Sequence, residues 1–524
     1  MRGITVFFVM ASLTLVSWSS LAELQNVEVG GVIRIRGNYY SAPATGDNPN
    51  RPNAGLRYPA APGRPAITSI FSWDDDGSGY SAIEQRTKIS VKADFTQDVS
   101  AFVELDSYDI WGEDFRSPNY ITGADGRANS GDDVEIYQAY IDVDKTFGLP
   151  VHLRIGRQEL QLGNGFLLGN NDSGKVFYTG LSFDALHLVY TPIDKLNIGA
   201  IGAKLVERTG IESDGDVDLY SLYAHYEGLK DTVLEACWIF VRDARSLSDN
   251  RGSIAQEWLE DTFGVDDYGV TNLHTISIRG AGTIDAFEIG KFDYNAELAY
   301  QFGNADQAGQ TFNLAGAGGF SLYGDDSAKW NVWAGNAEIG YAFNTKFTPR
   351  IYVGGVYLGG EDNRKHDFWD TLAAAVYPFY KQRASISFNR LFSNFEYSNF
   401  IDSTDLSNCW IARLGASANP IEKLTANVGV SYFQAVEGFD APHSNLPLLA
   451  FWTKKNSKEL GWETLLSAKY DYTENLSFEA GWGHLFAGDG LTKGSFSLAN
   501  GLGFTGGTDD KDADYLYAET KLAF

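Results

Sequence analysis

Val27-Glu28-Val29-Gly30-Gly31-Val32-Ile33-Arg34-Ile35-Arg36-Gly37-Asn38-Tyr39 reads with a period of two. Val27, Val29, Ile33, Ile35 and Tyr39 fall on one face, and Glu28, Arg34, Arg36 and Asn38 on the other. Successive strand side chains point to opposite faces, so this stretch divides an apolar medium from an aqueous one. The pattern recurs downstream. Ile89, Val91, Ala93 and Phe95 alternate with Lys88, Ser90, Lys92 and Asp94, and Tyr294, Ala296, Leu298 and Tyr300 alternate with Asn295, Glu297 and Gln301. A sheet with lipid on one side and water on the other demands this along its whole length.

The chain ends agree with that reading. Residues 1–22 hold one basic residue, Arg2, an apolar run from Ile4 to Val16 and the small-x-small close Ser20-Leu21-Ala22. This pattern predicts an export signal cleaved before Glu23, followed by a single barrel domain over 23–524. No later window is long and continuously apolar enough for a spanning helix. Leu516, Ala518, Thr520, Leu522 and the terminal Phe524 share one strand face, with Glu519 and Lys521 on the other. That arrangement resembles the C-terminal signal taken by the outer-membrane barrel assembly machinery, with Phe524, Leu522 and Leu516 as its recognition residues. Twenty-eight Tyr, 33 Phe and 12 Trp suit aromatic girdles at two membrane interfaces.

The expected class is an all-β, transmembrane antiparallel barrel of a Gram-negative-type outer membrane. Strands are predicted near 27–40, 83–97, 99–112, 133–145, 151–160, 182–192, 195–206, 216–228 and 231–243. The second half adds 271–280, 287–303, 331–344, 348–360, 410–419, 422–436, 461–472, 474–487 and 512–524. That makes eighteen, with sixteen and twenty as the neighbouring even counts. Lys381 to Phe392 is a nineteenth candidate. Bacterial barrels alternate short periplasmic turns with long extracellular loops, and this rhythm holds only if 361–409 is one loop with that segment inside it. A barrel this wide encloses water, so a channel is the default function. The loops 41–80, 243–270, 303–330 and 361–409 are candidates to fold inward and narrow it.

Charges assigned to the inner face are Arg34, Arg36, Arg86, Lys88, Lys92, Arg154 and Arg279 beside Glu84, Glu104, Asp106, Glu135, Glu297 and Glu338. Two readings compete: ion-pair ladders that stiffen the wall, or facing rows of opposite sign that favour charged or polyhydroxylated solutes. The formal net charge of −27 makes nucleic acid an unexpected partner. Outer-membrane lipid, lipopolysaccharide, the assembly machinery and a small hydrophilic or polysaccharide solute are the expected partners. No cofactor is expected. Asp74-Asp75-Asp76 is a candidate for a structural calcium or other divalent cation, set against the plainer reading of a solvated acidic loop. Cys237 and Cys409 either pair or stay free.

The seven histidines show neither zinc-site spacing nor a nucleophile elbow, so an enzyme is not expected. The alternative to a porin is a structural or adhesive barrel with a loop-plugged lumen.

Four places resemble the alginate export porins: Gly156-Arg157-Gln158 with Gly163; Phe292-Asp293-Tyr294 leading to Glu297, Leu298, Gln301 and Gly303; Pro349-Arg350 with Gly354; and Gly461-Trp462-Glu463 ahead of Tyr470 and Tyr472. The resemblance implies an eighteen-stranded monomeric barrel. It also implies an arginine-lined, electropositive constriction suited to a polyuronate, with Arg34, Arg86, Arg154 and Arg157 as nearest counterparts. Alternation from Ile155 points Arg157 at lipid, and a bulge at Gly156 would turn it inward. The chain departs from the family pattern in its acidic balance and in Gly359-Gly360-Glu361-Asp362.

Overall fold

The structure, a computed structural model, describes residues 24–41, 80–111, 134–170, 180–207, 216–244, 270–285, 289–304, 329–360, 388–402, 406–437, 440–443, 452–455, 457–489 and 512–524. The predicted export signal and Asp74-Asp75-Asp76 lie outside these residues.

The first half of the wall is β1 (Asn26–Tyr40), β2 (Tyr80–Thr96), β3 (Val99–Ile110), β4 (Glu135–Val143), β5 (Val151–Gln158), β6 (Phe183–Ile193), β7 (Leu196–Val206), β8 (Val217–Leu229) and β9 (Thr232–Asp243). The second half is β10 (Thr271–Asp285), β11 (Gly290–Asn304), β12 (Lys329–Phe343), β13 (Arg350–Leu358), β14 (Cys409–Ile421), β15 (Leu424–Ala435), β18 (Glu459–Asp471), β19 (Leu476–Ala487) and β20 (Ala513–Ala523). A small hairpin, β16 (Asp440–His443) with β17 (Trp452–Lys455), stands apart from the wall and was not foreseen.

Each wall strand pairs antiparallel with its sequence neighbour, and β1 pairs with both β2 and β20, which closes an 18-stranded barrel. Closure satisfies every sheet edge, the condition for strands to cross a bilayer. At one end the connections are short. Asp194-Lys195, Lys230-Asp231 and Glu422-Lys423 are two-residue turns between the paired residues Ile193/Leu196, Leu229/Thr232 and Ile421/Leu424. Lys195, Asp231 and Lys423 each take a positive φ there, a conformation uncommon outside glycine. All long connections leave from the other end.

The alternation of the first strand holds. Val29 is 65% exposed on the outer face, whereas Arg36 is 3% exposed on the inner one. Ile278 and Val353 are likewise bare on the outside, where lipid rather than water is the solvent. At the seam, the Phe524 amide donates to Gly31 O at 3.0 Å and the Gly31 amide to Phe524 O at 2.8 Å. Leu516, Leu522 and Phe524 stand on the outer surface.

Residues 388–392 of the nineteenth candidate lie inside the barrel, and residues 381–387 fall outside the described ones. Phe392 makes one parallel bridge to Leu168 and joins no wall strand. Two inward segments, 158–170 and 388–402, fill the loop-side half of the lumen. Phe166, Leu167, Leu168, Phe388, Phe392, Phe400 and Ile401 pack there against Leu219, Val241, Leu273, Trp330, Leu358 and Phe433 of the wall. The strand number implied a water-enclosing barrel that inward loops narrow, and this core is where the narrowing occurs. Of the loops expected to fold inward, 361–409 contributes 388–402, while residues 42–79, 245–269 and 305–328 fall outside the described residues. The segment 158–170 was not expected at all. Leu160, Leu162, Phe166, Leu167 and Leu168 crowd into it, more apolar surface than a solvated connection bears.

Candidate functional site: the lumen

The inward segments are latched to the wall by polar side chains. Gln301 on β11 donates to the carbonyl of Asn389 at 2.7 Å and accepts from its amide at 2.7 Å. Glu463 on β18 accepts from Ser398 Oγ at 2.5 Å, from the Asn399 amide at 3.1 Å and from Asn399 Nδ2 at 2.6 Å. The two segments hold each other through backbone bonds from Phe392 to Leu167 and from Asn394 to Gly165. Gly163 and Gly165 take φ of +56° and +83° at the turn of the first segment, where a side chain would meet Glu235 or Asn394. This is why a connection that leaves the rim can double back inside the barrel.

Around these segments the inward charges are withdrawn from water. Arg86 grips Asp106 with its Nη2 at 2.5 Å and Nε at 2.9 Å from Oδ2, and both side chains are nearly sealed. Lys88 lies 3.4 Å from Glu104 and 3.6 Å from Glu159. Arg36 lies over the Tyr517 ring at 4.3 Å, and the fully buried Glu84 is its register partner on β2. Glu135 is exposed opposite Asp106.

Towards the short-turn end the side chains are more open. Arg34 reaches Glu519 at 3.0 Å. Arg154 binds Asp142 at 2.7 Å and caps the Tyr140 ring at 4.1 Å. Arg279 bonds Glu235. Arg350 joins Asp293 at 2.5 Å and Glu338 at 2.8 Å, and Arg413 stands 3.8 Å from Glu338. Glu519 stands on the inner face as its strand alternation placed it, whereas Asp142, Glu235, Asp293, Arg350 and Arg413 were missing from the inner-face assignment. Asp293 sits in phase with the assigned Glu297 on β11, so the alternation would have found it; Asp142 is thrown out of phase with Glu135 by the β3–β4 register shift, and β9, β13 and β14 carried no assigned charge to extend. The result is a belt of guanidinium and carboxylate groups, charge-assisted and partly bidentate, exposed to the lumen.

Arg157 does not belong to it. The register Ala139/Arg157, Tyr140/Gly156 and Ile141/Ile155 runs without a shift, so the bulge needed at Gly156 is absent despite its φ of +130°. Arg157 faces outward and binds Asp184 at 2.8 Å, with 46% and 57% of the two side chains exposed. Farther along the same outer rim Lys204 contacts Asp218 at 2.7 Å and Asp216 at 3.0 Å. Charges are tolerated there because the cost of a charge on the lipid face falls to about 0–1 kcal/mol near the interface. Cys237 and Cys409 are both free thiols. Among the described residues no three His, Cys, Asp or Glu stand close enough to hold a metal ion.

Among solved structures the chain is similar to outer-membrane barrels at low identity. OccAB1 of Acinetobacter baumannii is 12% identical, with 97% of this chain and 99% of that one covered and a TM-score of 0.49. OccK9 (OpdG) of Pseudomonas aeruginosa is 12% identical, with 96% and 99% covered and a TM-score of 0.49. OpdK of the same organism is 10% identical, with 95% and 98% covered and a TM-score of 0.48. No curated protein matches the chain in sequence. The profile of the alginate export family matches residues 75–503. The chain belongs to the alginate export family.

Proposed function

We propose that the barrel gives passive passage to hydrophilic solutes that are charged or carbohydrate-like. The observation that carries this reading is the belt Arg34–Glu519, Arg154–Asp142, Arg279–Glu235 and Arg350–Asp293/Glu338 on the inner face of the wall, partly exposed. A solute carboxylate or hydroxyl can exchange with a wall carboxylate for a guanidinium fork, and a solute donor can take the carboxylate it leaves. Such a belt meets both signs of charge, unlike a purely basic constriction. Passage of an alginate-like polyuronate is therefore one case of a wider selectivity. The outer leaflet lipid and lipopolysaccharide are the partners proposed for the outer rim at Arg157 and Lys204, and the assembly machinery for Phe524.

The apolar core of the inward segments favours a second reading, a structural barrel whose lumen is closed by its own chain. Single-channel recording of the refolded protein in planar bilayers separates the two. The channel reading expects stable conductance, a reversal potential set by the belt, and blockade by oligouronates or neutral oligosaccharides. A properly folded barrel that conducts nothing overturns it in favour of the closed one.

A further inference from the structure

Behind the first inward segment, between it and β6–β11, lies a cavity of about 360 Å³, within the range of small-molecule sites. Its walls are partly apolar, from Leu162, Leu167 and Val189, with Tyr223 alongside. Its polar lining is almost fully committed. Glu235 is bonded to both Arg279 and His225 Nδ1, and His225 Nε2 is 2.9 Å from Glu227. Arg279 Nε donates to Asn295 at 2.7 Å, and Tyr223 bonds His187 at 2.8 Å. Glu297 is the exception. It is 9% exposed, its Oε1 accepts from Ser277 Oγ at 2.6 Å, and its Oε2 has no hydrogen-bond partner among the described residues.

A buried carboxylate oxygen without a donor is costly, and a ligand that supplies the donor recovers that cost. The nearest wall cation, Arg279, is already shared by Glu235 and Asn295. The cavity thus offers one carboxyl oxygen without a hydrogen-bond partner among the described residues, in a partly apolar chamber too large for a bare ion. We infer that this cavity is a binding site for a small organic ammonium, its N–H groups on Glu297 Oε2 and its carbon body against Leu162, Val189 and Tyr223. The site shares Arg279 and Glu235 with the belt of the proposed function, but its ligand group, Glu297, is not a belt member, and binding is read without conduction.

Equilibrium calorimetry on the refolded full-length protein in detergent micelles tests this with glucosamine, its neutral isostere glucose, and glucuronate. Glucosamine is expected to bind at least about tenfold more tightly than either, a preference of roughly 1.4 kcal/mol. Glu297→Gln, which keeps the Ser277 acceptor and the volume, is expected to erase that preference. Val189→Phe, which fills the chamber without touching a charge, is expected to abolish binding altogether. Equal affinity for glucosamine and glucose, or a preference that survives Glu297→Gln, overturns the assignment. Because binding is read without a bilayer, a barrel that binds glucosamine yet conducts nothing would sink the channel reading and leave this one standing.

Discussion

Glu463 Oε1 accepts both the backbone amide and the side-chain amide of Asn399, at 3.1 and 2.6 Å, while its Oε2 takes the Ser398 hydroxyl at 2.5 Å. One wall carboxylate thus fixes the inner end of a segment whose removal would widen the lumen. Glu463 is 5% exposed, so its loss strands buried donors, at about 1–3 kcal/mol for each one left unmade.

Glu463→Ala should therefore loosen 388–402 without breaking the wall, whose ladder bonds are backbone. Conductance should rise and become noisier, and thermal unfolding should begin at lower temperature. Glu463→Gln, which keeps an acceptor oxygen, should fall between. A mutant with unchanged current and noise would show that the latch does not hold the constriction.

The closure seam offers a second test. A side-chain carbon added at Gly31 would come within 2.6 Å of Phe524 Cζ and 2.9 Å of the Lys88 carbonyl. The ring can swing, but the carbonyl belongs to the β1–β2 ladder and resists. Gly31→Val should cost about 1–3 kcal/mol as an overpacked contact and slow closure. Comparing electrophoretic mobility of boiled and unboiled samples would report the folded fraction. A Gly31→Val barrel as abundant as the parent would refute a tight seam.

What the sequence yields depends on how local the cause is. Alternation in Val27–Tyr39 is a two-residue signal, and it gave the wall, the faces and the short-turn rhythm. The interior needed long-range partners. Phe166 and Phe392 are far apart in the chain, and their burial against Leu273 and Trp330 follows from barrel closure rather than from either neighbourhood. Even so, the five apolar residues of 160–168 were a readable hint, masked by the habit of treating rim connections as solvated. Arg157 fails for a different reason. Its strand phase pointed outward, and family likeness suggested otherwise; the unbroken β4–β5 register sides with the phase. The pairing of Arg350 with Asp293 joins β13 to β11 across an intervening strand, which no single-strand pattern encodes.

That contrast between inner and outer arginines is directly measurable. Arg154 shares the lumen with Asp142, so Arg154→Ala leaves a wall carboxylate uncompensated. The reversal potential in a salt gradient should shift towards cation selectivity. Arg157 bonds Asp184 on the outer rim, so Arg157→Ala should leave the reversal potential where it was and cost about 0–1 kcal/mol of stability, the range for exposed pairs. Equal shifts from both variants would place Arg157 in the conduction path.

The last prediction concerns the inward segment itself. Arg390 Nη1 lies 2.8 Å from both oxygens of Asp402, at side-chain exposures of 1% and 0%, and Asp402 also accepts from the Tyr397 amide at 2.7 Å and the Leu406 amide at 3.2 Å. Breaking a buried pair from one side leaves a charge without its partner, at about 3–5 kcal/mol, whereas exchanging both members for apolar groups is often neutral. Arg390→Met should thus unpin 388–402, seen as faster proteolysis within that segment while the barrel stays folded. The double exchange Arg390→Met with Asp402→Leu should recover part of the protection, but not all of it, because Asp402 also carries two backbone amides that leucine cannot accept from. Full recovery would mean that those amides contribute little. No recovery would mean that the segment is held by the bonds of Arg390 to Ser393 Oγ and Phe395 O, which the double exchange does not restore, rather than by the ion pair.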